Sequence, residues 1–159
     1  MSFDEWLVAL HVLSAFAYVA AIVLFWVLVF AVRRTDTPAG TIAMAPVAKV
    51  GNACVAIGAT GTIVLGIWLA FSYGGYDIWD PWIIAALVLW VLAAETGRRS
   101  GVEFMAGMTK AEELEAAGQE GPSAELLAVN RTPRGFAMHT LSSVLVLLIL
   151  VDMIWKPGA

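Results

Sequence analysis

Cysteine is almost missing from this chain of 159 residues. Cys54 stands alone, which excludes an internal disulfide and any cluster held by several thiolates. Histidine occurs twice, as His11 and His139, and never as a pair four residues apart, so no H-E-x-x-H helix can form. There is no C-x-x-C, no glycine-rich phosphate loop with a lysine, and no G-x-S-x-G elbow. Dithiol redox chemistry, nucleotide hydrolysis and serine hydrolysis therefore have no motif to rest on. Charge is scarce as well: 14% of residues are charged, against about 25% in a soluble domain. The net charge is −4 and no basic patch carries interleaved aromatics, so nucleic acid is not an expected partner.

What is abundant is hydrocarbon. The chain is 60% hydrophobic with a mean hydropathy of +0.82, where a soluble domain holds about 45–50% apolar residues. Water cannot solvate that excess, so the lipid bilayer is the expected surrounding. The N-terminus, Ser2-Phe3-Asp4-Glu5, is acidic where a secretory signal is basic. The apolar run behind it is also far longer than a signal's core of about 7–15 residues.

The expected fold is an all-α membrane protein, a single domain over 1–159 with four transmembrane helices in an antiparallel bundle. The spans are 6–32, 47–73, 81–99 and 136–155. Arg33-Arg34 and the turn residues to Gly40 end the first. The second runs to Tyr73, before Gly74-Gly75. Asp80-Pro81 opens the third as an N-cap followed by proline. Its apolar part, 82–94, is short, so it spans only by continuing through Glu95 to Arg99 with the arginines snorkelling. Lys156-Pro157-Gly158 closes the fourth. The stretch 100–134 is an expected cytoplasmic loop carrying two short surface helices, one over 110–117 stopped by Gly118 and one after Ser123.

Eight of the nine basic residues flank the first and third connections: Arg33, Arg34, Lys49, Arg98, Arg99, Lys110, Arg131 and Arg134. Only Lys156 lies at the other end. The positive-inside rule puts both connections in the cytoplasm and both termini outside, in a bacterial inner (plasma) membrane. Trp6, Tyr73, Tyr76, Trp79, Trp82 and Trp155 form an aromatic belt on the outer side.

Gly58, Thr62 and Gly66 are spaced by four on one face of the second span, a seam for close helix packing. The seam serves either the bundle itself or a homo-oligomer. Ionisable groups inside a span need protein partners. His11 shares a face with Ser14 and Tyr18, and His139 with Ser142 and Ser143. Each histidine is either a ligand at a separate cofactor site or a packed, hydrogen-bonded residue. Their expected depths differ by on the order of 15 Å, which argues against one shared haem iron. Glu95, Lys49 and Asn52 are expected near His139, with Glu95 read as an interfacial ion-pair partner. Asp152 has a depth like that of His11, and the two, with Asp4, are a candidate metal site. On an ideal helix, however, Asp152 points about 140° away from His139, so only one of them is expected to face the bundle centre squarely.

Leu10-His11-Val12-Leu13-Ser14-Ala15, the Gly58-Ala59-Thr60-Gly61 stretch, Asp80-Pro81-Trp82 and the closing Asp152-Met153-Ile154-Trp155-Lys156-Pro157-Gly158 resemble a small bacterial family of predicted integral membrane proteins. That family is a domain of unknown function, so the likeness implies a fold and no activity. It covers nearly the whole chain. More distantly, the early Leu-His pair resembles copper-resistance D and HemJ-like membrane proteins, and on that likeness His11 would contact haem b. The tryptophan–glycine stretch of those proteins reads Ala17-Tyr18-Val19-Ala20-Ala21 here. Two functions follow: a non-enzymatic accessory or transport-related membrane component, or a haem- or porphyrin-linked redox protein using His11.

Overall fold

The computed structural model describes residues 2–72 and 75–158. Among these, six helices and no strand are present: α1 (Phe3–Val32), α2 (Pro38–Ile42), α3 (Ala45–Ser72), α4 (Pro81–Ala116), α5 (Ala124–Asn130) and α6 (Pro133–Trp155). Four segments are long and apolar enough to cross a membrane: α1, α2 with α3, α4, and α5 with α6. Tyr73, where the second span is expected to end, and Gly74 lie outside the described residues.

Each helix begins where its sequence supplies a start. Ser2 and Glu5 form a capping box on α1. Thr37 caps α2 by accepting from the Gly40 amide at 3.3 Å. Pro46 has no N–H to give to the carbonyl four residues back, and the chain breaks at Ala43-Met44 between α2 and α3. Asp80 precedes Pro81 at the start of α4, but its side chain makes no helix cap. Its Oδ2 instead accepts from the Asp77 amide at 3.1 Å, which tightens the turn.

The helix that carries the third span does not stop near Arg99. α4 continues for 36 residues to Ala116, roughly 54 Å at 1.5 Å per residue. Residues 110–116, expected as a separate surface helix, are its last turns. Gly118, with φ +77°, ends it in the left-handed conformation that favours glycine. The second short helix is α5, capped by Ser123.

α1 packs antiparallel on α3, and α6 antiparallel on α4. The two pairs meet around Tyr18, Ala93, Leu145, Val146 and Ile149. At the basic end the connections interlock. Arg33 Nη1 donates to the carbonyls of Arg131 and Thr132, and Arg131 Nε donates to the Arg33 carbonyl at 3.0 Å. Buried Asn130 donates from Nδ2 to the Thr35 carbonyl and to Thr41 Oγ1, both at 3.2 Å. The Ser123 amide donates to the Asp36 carbonyl. Lys110 joins Glu125 at 2.8 Å, tying α4 to α5. First and third connections therefore share one end of the molecule. Lys156 lies at the other, hydrogen-bonded to the Tyr76 hydroxyl, with its Nζ 4.3 Å from the Tyr76 ring centre and 5.4 Å from that of Trp82.

Candidate functional site

The Gly58–Thr62–Gly66 seam lies against α1. A Cβ built on Gly58 would come within 2.5 Å of the Tyr18 backbone nitrogen and 2.9 Å of the Ser14 carbonyl oxygen. Only hydrogen fits there, and the two backbones touch as small-residue seams allow. Thr62 Oγ1 returns to the Gly58 carbonyl at 2.6 Å, which satisfies the hydroxyl inside its own helix. Gly61, not part of the expected seam, belongs to it: a Cβ would meet Ser14 Oγ at 2.3 Å.

His11 sits at the far end of the same seam. A Cβ on Gly66 would lie 3.0 Å from its Cε1 and 3.3 Å from its Nδ1. The missing side chain of Gly66 is what admits the ring, and the Thr62 backbone faces it. Nδ1 is buried without a hydrogen-bond partner.

His139 is buried on α6 in a nest of aromatic rings. Its ring centre is 4.6 Å from that of Trp26, at 60°. Trp26 Nε1 donates to Ser143 Oγ at 3.0 Å, and Ser143 Oγ donates to the His139 carbonyl at 2.8 Å. Phe136 stands edge-on to Trp26 at 5.6 Å and carries the Arg33 guanidinium 5.0 Å above its ring. Nε2 of His139 is buried and unpartnered. Neither Lys49 nor Asn52, both exposed, nor Glu95, bonded to Arg98 and Arg99, is bonded to it.

The two imidazoles lie at different levels. His139 touches Trp26, and Trp26 is fifteen residues along α1 from His11, roughly 22 Å along the axis. No single metal ion or haem iron spans that distance.

Asp152 is 9% exposed, and its Oδ2 is buried with no partner. Neither this oxygen nor His11 Nδ1 is hydrogen-bonded to anything, so no bond joins those two atoms. Among the described residues no group of three His, Cys, Asp or Glu side chains converges as a metal site would require. His139 and Asp152 are both buried, at opposite ends of the buried stripe of α6. The buried positions of α6 are His139, Ser142, Leu145, Val146, Ile149 and Asp152. They advance by little more than three residues per turn, so the stripe drifts around the helix. It starts against Trp26 of α1 and ends near Trp82, where Met153 packs.

Sequence reasoning passed over two participants, Trp26 and Asn130. Trp26 is hidden inside a continuous apolar run, although its indole N–H is a polar handle that a buried tryptophan normally satisfies. Trp82 and Trp90 each bury such a group without a partner. Asn130 looked like loop polarity, yet it is buried against Gly107, where a Cβ would come within 2.5 Å of its Oδ1. A cavity of about 40 Å³ lies beside it, bordered by Arg33, Ser100, Glu103 and Phe136.

Comparisons of the chain with protein-family models, with curated proteins and with solved structures find no match.

Proposed function

We propose that this chain is a multi-pass protein of a bacterial plasma membrane, with both termini outside, acting as a non-enzymatic accessory or transport-related component. One observation carries the reading: each histidine serves helix packing, at its own depth. His11 fills the space left by Gly66, and His139 packs at a tilt against Trp26. On the Gly66 side His11 has no more room than one absent methyl-sized group, which suits a neighbouring helix. The clustering of eight basic residues at the interlocked end supports the orientation.

A second reading keeps haem b, and it is favoured by the buried, unpartnered Nε2 of His139. That nitrogen has the chemistry of an axial ligand, while His11 has the weaker claim. Expression with added haem precursor, followed by a visible spectrum of the purified protein, separates the two. A colourless protein is expected. A Soret band that disappears in His139→Ala or His11→Ala overturns the non-enzymatic reading.

A further inference from the structure

The outward face of α4 carries a charged group that neither histidine uses. Arg98 donates to Glu95 from Nε at 2.8 Å and from Nη2 at 2.9 Å, and Arg99 donates from Nε at 2.7 Å. All three side chains are exposed, at 40% for Glu95, 64% for Arg98 and 53% for Arg99.

Helix register fixes their depth. Ser142 Oγ donates to the Ala93 carbonyl at 3.0 Å, and a Cβ on Gly97 would meet Ser142 Oγ at 3.2 Å. The charged group is therefore level with His139–Ser142, and through His139 with Trp26. The Arg33 collar is level with Ser100 and Glu103, several ångströms further along. On the same outward face Val88, Val91 and Leu92 are exposed on one side of the charges, and Val102 and Met105 on the other. From Trp6 to Trp26 is twenty residues, roughly the 30 Å of a hydrocarbon core. The charges thus fall where that core ends.

Two cations on one carboxylate leave a net charge of +1. A guanidinium has five N–H donors. Arg98 uses two on Glu95 and Arg99 one, so donors remain on two exposed side chains. Paired guanidiniums match a phosphate by bidentate hydrogen bonding.

We propose that Glu95, Arg98 and Arg99 form a binding site for the phosphate of an anionic phospholipid, with its acyl chains along Val88, Val91 and Leu92. The two arginines hold the phosphate. Glu95 clamps them together and limits the affinity by its own charge. This site rests on the reading of α4 as a membrane span.

Native mass spectrometry of the purified full chain tests it, with phosphatidylglycerol and phosphatidylcholine as probes. Bound phosphatidylglycerol should exceed phosphatidylcholine in wild type. The Arg98→Gln/Arg99→Gln double variant should lose that preference by roughly tenfold, and Arg34→Gln should keep it. Glu95→Gln, which retains an acceptor and removes the negative charge, should bind phosphatidylglycerol more tightly. Millimolar inorganic phosphate should leave the lipid in place. The proposal is overturned if the double variant, with unchanged helix content, keeps the preference. It is overturned equally if wild type does not discriminate, or if free phosphate strips the lipid. Carbonate extraction of membranes separates this from failure of the parent reading: a chain released by carbonate does not span at all, whereas a retained chain without lipid preference refutes this site alone.

Discussion

At the scale of single residues, glycine decides more here than histidine does. Glycines are costly in helix interiors, so each must be explained by what a side chain would hit. At Gly58 the obstacle is backbone, the nitrogen of Tyr18 at 2.5 Å, which cannot rotate away. Gly58→Ala should therefore destabilise the α1–α3 pair by about 1–3 kcal/mol through overpacking. Gly101 faces open space, and Gly101→Ala should stabilise by up to about 1 kcal/mol through helix propensity. Unfolding of the two variants in the same detergent checks both signs, and equal shifts would contradict the seam. The position of Gly58, Thr62 and Gly66 on one face was legible, because spacing by four is a property of sequence. Their partner was not, because nothing in α3 says which helix lies opposite. The same holds for the histidines: their approximate depth follows from counting residues, while the pairing of His11 with Gly66 and of His139 with Trp26 is a matter of tertiary register.

At the scale of elements, the informative case is α4. Glu95, Arg98 and Arg99, with glycines at 97, 101 and 107, look like the end of a span followed by a loop. The helix nevertheless runs on, because two of these glycines are packing sites rather than breaks: Gly97 admits Ser142 and Gly107 admits Asn130. Local propensity is a weak guide where tertiary contacts of this kind accumulate. Beyond Arg99 the helix forms one wall of the basic end, and Asn130 of α5, packed against Gly107 of that wall, ties the third connection to the first through two hydrogen bonds. Asn130→Ala removes both donors and leaves the Thr35 carbonyl with one fewer partner, at a cost of about 1–3 kcal/mol. The loss should be local. Amide hydrogen exchange should quicken in α2 and at the end of α5, while α1 and α6 keep their protection. Uniform loss across all helices would mean that the basic end is not an independent cap.

At the scale of the whole molecule, the two ends are built differently. One end is closed by backbone and side-chain bonds between the first and third connections. The other holds Lys156 against Tyr76 and Trp82. That both connections share an end was legible from the distribution of lysine and arginine, since a chain crossing four times must return them to the same side. How the ends close was not, because carbonyl acceptors leave no trace in composition. The arrangement makes topology testable with the chain's own scarcity of thiols. With Cys54→Ala as background, single cysteines at Asp36, Gln119, Ile78 and Pro157 sample the two ends at exposed or half-exposed positions. An impermeant maleimide added to intact cells should label Ile78→Cys and Pro157→Cys and spare Asp36→Cys and Gln119→Cys until the membrane is opened. If Asp36→Cys and Gln119→Cys respond from opposite sides, the bonds joining Arg33 to Arg131 cannot form across a bilayer, and the bundle described here is not the fold in the membrane. If both respond from outside, the bundle stands and the positive-inside orientation is reversed.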